Sequence, residues 1–228
     1  AAIFDTYWNS DVVYPLQRVA STSRSPEALK ADFEVATSAA NAPPPAPLPI
    51  TDLLGDLPLG AQLANIEEAK WMRAEANASA DSPNKALGVM THPTETLAQR
   101  FHEMLATAQS NVVVISPYFI PGDEGMERIR MGREHGVNIT VITNSLADSD
   151  EPLVNINYNR YRVDMLKLGV NLYEVSTQQL RRSGQFRDLL KKARGRLHAK
   201  LALVDRQWVL LGSMNLDPRS ARLNTEFG

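Results

Sequence analysis

The sequence predicts an α/β domain, a mixed and mostly parallel sheet sandwiched between helices. Two observations carry this. From residue 94 to 175, short continuous apolar runs alternate with amphipathic helical patterns, the signature of β-α-β units. Near the end, two further apolar runs are joined so tightly that they must form a hairpin, which adds antiparallel strands.

Each element follows from its local pattern. PEALKADFEVATSAA (26–40) opens on Pro and predicts a short helix. NAPPPAPLPI (41–50) holds five prolines and can be neither helix nor central strand, so it predicts an extended linker or surface loop. AKWMRAEANASA (69–80) predicts a strand, with helix as the alternative its alanines leave open. TETLAQRFHEMLATAQ predicts a helix capped by Thr94, with Leu97, Phe101, Met104, Leu105 and Ala108 on its buried face. NVVVIS (111–116), VNITVIT (137–143) and VNLYEV (170–175) predict strands buried on both faces. Between them, GMERIRMGREHG and LVNINYNRYRVDMLKLG predict helices closed by Gly136 and Gly169. LHAKLALVD (197–205) and QWVLLGS (207–213) predict the hairpin. Trp71 and Trp208 are expected to pack in the core or on that hairpin.

Composition excludes several chemistries. The chain has 228 residues and 43% hydrophobic residues, enough for a real core. It has no cysteine, so disulfides and thiolate metal sites are excluded, and no other ligand cluster predicts a metal or cofactor. The formal charge of −2 gives no global field for nucleic acid. No stretch approaches the roughly 18 apolar residues of a membrane span. The start, AAIFDTYWNS, and the end, LNTEFG, predict a piece of a longer protein.

The chemistry concentrates in RLHAKLALVDRQWVLLGSMNLDPRS, residues 196–220. If LHAKLALVD is a strand, its two-residue period puts His198, Lys200 and Ala202 on one face and Leu197, Ala199, Leu201 and Leu203 in the core. His198 and Lys200 then project together, about 6–7 Å apart at the backbone. Ser213 and Asn215 add neutral donors beside the Lys cation, a cradle for phosphate oxygens and for charge developing on them. A His in such a cradle can attack phosphorus and form a covalent intermediate. Its second nitrogen needs an acceptor to fix the tautomer, and Glu226 is the candidate. Asp205 sits at the hairpin turn, where Asp serves local hydrogen bonding, so its part is expected to be structural. A lone HxK or GSxN arises by chance; the conjunction within one short window is what points to chemistry.

H-x-K-x4-D followed by G-S-x-N resembles the signature of the phospholipase D superfamily, matched by His198, Lys200, Asp205, Gly212, Ser213 and Asn215. GSMNLDPRSARLNTE, SPYFIPG (116–122), ITNSLADSDEP (142–152) and YNRYRVDMLKLGVNLYE (158–174) are similar to its cardiolipin-synthase-like branch, most of all the C type. FDTYWNS resembles the helix that follows a first such motif, and Asn157 in NINYNRYR departs from the pattern. The resemblance implies a phospholipase D-like fold, a phosphohistidine intermediate and two motifs meeting at one site. His198, Lys200, Asp205 and Glu226 become the candidate catalytic set, and Lys200, Ser213 and Asn215 the phosphate-binding set.

The domain expectation follows: residues 1–60 as the tail of a first half plus linker, and 61–228 as the second catalytic half. The expected activity is phosphatidyl transfer between phospholipids of the phosphatidylglycerol and phosphatidylethanolamine class. The alternatives are hydrolysis of a phospholipid or nucleic-acid phosphodiester, and a non-catalytic half that binds anionic lipid. Expected partners are the first half or a second copy, and the cytoplasmic face of a bacterial inner membrane, held peripherally. RRSGQFRDLLKKARGR (181–196) carries seven basic residues against one acid. It reads as a solvated surface or as a lipid-headgroup patch built on Arg187, Lys191 and Lys192. Tyr118 and Phe119, after a strand end, are candidates to line a lipid pocket or merely to pack their loop. His92, His102 and His135 have no Lys partner at that spacing and are read as non-catalytic.

Overall fold

The computed structural model describes residues 2–19, 24–38, 73–88, 96–148, 151–176 and 196–228. The chain divides into two compact units, Ala1–Tyr7 with Ala74–Gly228, and Trp8–Arg73. Helix α1 (Ala2–Trp8) covers most of FDTYWNS. Within the smaller unit lie α2 (Leu16–Val19) and α3 (Pro26–Thr37). Ser25 caps α3 by accepting the Ala28 N–H, and Pro26 supplies the preset first turn. The Pro-rich stretch, Trp71, His92, Thr94 and the basic residues Arg187, Lys191 and Lys192 lie outside the described residues.

In the larger unit, α4 (Leu97–Ala106) is capped by Thr96, whose hydroxyl accepts from Gln99 N. Leu97 and Phe101 are buried, and Met104, Leu105 and Ala108 pack against the core, as the helical period predicts. Then follow β1 (Asn111–Ile115), α5 (Gly122–Glu134), β2 (Asn138–Asn144), α6 (Pro152–Lys167) and β3 (Asn171–Val175). The hairpin β4 (Leu201–Val204) and β5 (Trp208–Leu211) comes next, and α7 (Pro218–Arg222) last. Gly136 and Gly169, at φ +83° and +79°, make the left-handed exits from α5 and α6.

The five strands form one mixed sheet in the order β3-β2-β1-β4-β5. The β1–β2 and β2–β3 pairs are parallel, and the β1–β4 and β4–β5 pairs antiparallel. Helices flank the sheet, with α5 lying on the face of Ile139. The strands at the centre bury one face fully: Val112, Val114, Ile139, Val141, Ala202 and Val204. Their alternate residues are mostly half-buried, with Asn138 exposed and Asn144 buried at the two ends of β2.

Three expectations change here. In β4 the buried residues are Ala202 and Val204, not Leu201 and Leu203. Register is the reason: Ala202 pairs with Val114 and Val204 with Val112, so they share the buried face. Trp208 is 60% exposed, because β5 is an edge strand and Trp208 lies opposite buried Val204 at its outer end. Residues 73–79 form no ladder strand, and Ala80 makes a single bridge to Phe227. The backbone of 79–81 does bond to 226–228, through Ser79 N to Gly228 O (2.7 Å), Gly228 N to Ser79 O (2.9 Å) and Asp81 N to Glu226 O (2.8 Å).

Candidate active site

The strand expected over 197–205 begins only at Leu201, so His198 and Lys200 sit on the irregular segment that leads into β4. The cause lies in β1. It ends at Ile115, opposite Leu201, and Ser116 turns its N–H to Ile142 O, so the β1 ladder does not extend to 197–199; Lys200 O is held on the other side by Gly212 N at 3.2 Å. Strand alternation therefore does not set the relation between the two side chains; direct contact does. Lys200 Nζ donates to the His198 carbonyl at 2.8 Å and lies 3.3 Å from each ring nitrogen.

From β5 the chain passes through Gly212 to Ser213 and Asn215. The backbone of 212–213 runs against the terminal segment, with Ser213 N donating to Phe227 O at 2.8 Å. The closeness explains Gly212: a Cβ there would lie 2.3 Å from Phe227 O. Ser213 Oγ donates to Glu226 Oε2 at 2.5 Å and accepts the Phe227 N–H at 3.0 Å. Thus Glu226 holds Ser213 rather than His198; among the described residues its bonds include none to the imidazole. Buried Glu226 is offered an O–H, and a short charge-assisted bond satisfies it.

These groups share one cleft of about 920 Å³, lined by His198, Lys200, Ser213, Asn215 and Glu226, with Leu201, Leu211 and Leu223 as apolar wall. Asn215 Oδ1 is the buried side-chain atom left without a hydrogen-bond partner among the described residues. A buried carbonyl oxygen in that state is open to a further donor.

Asp205 is elsewhere in the hairpin and does not line the cleft. At φ +51°, with Arg206 at +58°, it makes the tight turn between β4 and β5. Its carboxylate accepts from Gln109 N (2.7 Å), Ser110 N (2.8 Å), Ser110 Oγ (2.7 Å) and Asn111 N (2.8 Å). Those bonds hold its carboxyl far below the usual carboxylate range, the Asn111 N–H contributing most. The motif's Asp pins the hairpin to the start of β1.

Beneath the cleft is a buried pair the sequence reading missed. Lys85 Nζ meets Asp81 Oδ2 at 2.5 Å, with side chains 2% and 0% exposed. Lys85 also donates to Ser220 O at 3.0 Å, while Asp81 accepts from Leu97 N at 2.7 Å and Glu226 N at 3.0 Å. Tyr7 Oη adds a bond to Asp81 O at 2.7 Å. The pair thereby ties α1, α4, α7 and the backbone of Glu226 together. Asp81 and Lys85, four residues apart where DSPNK enters the 3-10 turn Pro83–Leu87, were the available signal.

Phe119 is core, and the Tyr118–Phe119 loop bonds to Leu216 through Ile120 N to Leu216 O (2.7 Å) and Leu216 N to Tyr118 O (3.1 Å). It braces the segment after Asn215 and is not part of the cleft wall. His102 and His135 are also outside the cleft; burial, then Arg128, pushes the His102 imidazole down. Asn157 spans one turn of α6, donating to Leu153 O at 2.9 Å.

A mixed sheet that brings an HxK segment and a GSxN turn to one cleft is the arrangement of phospholipase D-like domains. The family described as "Cardiolipin synthase, PLD-like domain" matches residues 101–228, and the chain belongs to it. It is 34% identical over 156 residues to Cardiolipin synthase C of Escherichia coli strain K12, covering 68% of this chain and 33% of that protein. It is 30% identical over 132 residues to Cardiolipin synthase B of Shigella flexneri, covering 58% of this chain and 27% of that one. The chain thus spans about a quarter to a third of the length of these relatives. Among solved structures, Nuc of Salmonella typhimurium, a phospholipase D family member, superposes with TM-score 0.44 at 14% identity, over 66% of this chain and 78% of that one. Among the described residues, no helix is long and apolar enough to cross a membrane.

Proposed function

We propose that this chain is one catalytic half of a phosphatidyltransferase of the cardiolipin synthase kind. A single observation carries the reading: His198, Lys200, Ser213 and Asn215 line one cleft with a buried carboxylate, Glu226, at its base. An imidazole nitrogen of His198 would attack the phosphodiester phosphorus of one lipid, forming a P–N bond as the P–O bond to the departing glycerol breaks. The departing oxygen takes a proton from an acid on the other half. The hydroxyl of a second lipid then attacks, the P–N bond breaks, and that acid, now a base, receives the hydroxyl proton. Lys200 lies equally near both ring nitrogens, so a phosphoryl group on either one meets its ammonium. Ser213 and Asn215 would contact phosphate oxygens, with Glu226 setting Ser213.

One observation favours lipid transfer over hydrolysis of a nucleic acid. Leu211 and Leu223, in the cleft wall, are 63% and 55% exposed, a surface suited to glycerol and acyl carbons. Asn215 Oδ1, without a partner among the described residues, could accept from the attacking hydroxyl, whether of a lipid or of water. The first half or a second copy would supply the opposing acid, and the basic segment with Arg187, Lys191 and Lys192 would hold the protein peripherally on anionic lipid at the cytoplasmic face of a bacterial inner membrane. Incubating the assembled enzyme with phosphatidylglycerol and phosphatidylethanolamine, with products read by mass, tests the reading. Cardiolipin with glycerol or ethanolamine supports it; phosphatidic acid alone makes the protein a hydrolase.

A further inference from the structure

We propose that Asn144 is the positioning residue of His198: its side-chain amide stands in for the β-ladder that the chain loses just before β4. The inference rests on the role given to His198 above and adds the device that aims it.

The need for such a device is geometric. Once β1 has ended at Ile115, its ladder offers Leu197–Ala199 no backbone partner, while Lys200 O is held from the end of β5 by Gly212 N at 3.2 Å. The next strand across the sheet, β2, continues to Asn144, where its backbone pairs with Val175 of β3. From that anchored position the Asn144 side chain reaches back across the gap. Its Nδ2 donates to Leu197 O at 3.1 Å, and its Oδ1 accepts from Leu197 N at 3.0 Å. Both bonds go to one residue, immediately before His198. Thr143 beside it makes a related bridge, Oγ1 to Pro117 O at 3.3 Å, on the departing β1.

The residue type is specific to the task. Asn presents one acceptor and a donor pair on a short planar group, the same pattern as a peptide unit. Asp keeps the shape and loses the donor, Leu keeps the size and loses both, and Gln is a methylene too long. Asn144 is only 4% exposed, so its two bonds form where water does not compete. His198, by contrast, is exposed, and the contacts of its ring run to mobile-stemmed Lys200. Its aim therefore depends on the backbone that the Leu197 bonds fix.

The test compares wild type, Asn144→Asp and Asn144→Leu in the whole chain. Nuclear magnetic resonance reads the His198 ring signals and the hydrogen exchange of Leu197 N–H; a melting curve controls for folding. Steady-state kinetics on phosphatidylglycerol vesicles follow in the assembled enzyme. In Asn144→Leu, Leu197 N–H should lose its protection. In both variants the His198 signals should shift and broaden, the amides of 109–111 staying protected. Misaiming of this order costs about 10–100-fold, expected in kcat with KM little changed. His198 signals that coincide with wild type would overturn the proposal, as would unchanged kcat. Should Asn144→Leu not fold, the isosteric Asn144→Asp decides alone. If instead His198→Ala retained turnover, the catalytic reading would fall, while the ring signals would still decide the clamp.

Discussion

Gly212→Ala should damage both the fold and the cleft, and the damage can be sized. The added Cβ would lie 2.3 Å from Phe227 O, 3.0 Å from Gly228 Cα and 3.2 Å from Phe227 C. Ordinary contact between such atoms needs about 3.5 Å, so one backbone must move by roughly 1 Å. These are backbone atoms, not the end of a flexible side chain. A shift of that size carries the Ser213 N to Phe227 O bond, now 2.8 Å, beyond hydrogen-bond reach. Overpacking costs about 1–3 kcal/mol, and the lost hydrogen bond about 1 kcal/mol more. Together these lower the melting temperature by about 4–16 °C for a chain of this length. Because Ser213 Oγ and Glu226 ride on the same two segments, their 2.5 Å bond should open as well. Circular dichroism melting, with turnover measured well below the transition, reads both effects. A melting temperature and activity equal to wild type would refute the reasoning that close approach, rather than chance, places Gly before Ser213.

Other outcomes follow from the same geometry. Lys200→Ala should reduce kcat and substrate affinity together, and Lys200→Arg should not restore them, since the guanidinium fork differs in reach; full rescue in steady-state kinetics would contradict this. Lys85→Met leaves buried Asp81 without its ion-pair partner, so it should cost about 3–5 kcal/mol in urea unfolding, and less when combined with Asp81→Leu. Asp205 has a folded carboxyl held below its unfolded value, so its stabilisation is complete above about pH 4 and fades as pH falls toward the folded value. Asp205→Asn should therefore flatten the acid limb of a stability–pH curve while leaving its slope above pH ~5 unchanged. Neutralising Arg187, Lys191 and Lys192 should weaken sedimentation with anionic vesicles, most at low salt.

Much of the fold was legible because its signals are local. Apolar runs marked β1, β2 and β3, Gly136 and Gly169 marked helix exits, and Pro26 marked the start of α3. The cleft was legible for the same reason: His198 and Lys200 lie two residues apart, and Gly212, Ser213 and Asn215 form one turn. What stayed hidden depends on register and long-range contact. A strand pattern over LHAKLALVD could not reveal that β1 stops three pairs too soon to hold His198 in a ladder. Nor could it choose between the two faces of β4, which are both apolar. The sequence reading set Glu226 against His198, whereas the fold brings Ser213 within 2.5 Å of it. Asp81 and Lys85 looked like an ordinary turn, and burial alone distinguishes them.

The central claim, that this cleft transfers a phosphatidyl group through histidine, is tested most directly by trapping. The assembled enzyme is mixed with phosphatidylglycerol labelled at phosphorus, quenched in alkali and mapped by peptide mass spectrometry. The account predicts a label that is stable to alkali, labile to acid, carried on histidine, and absent in His198→Ala, whose turnover falls about 10³-fold or more. A His198→Ala enzyme that still turns over at the wild-type rate, or a label on another residue type, would contradict it.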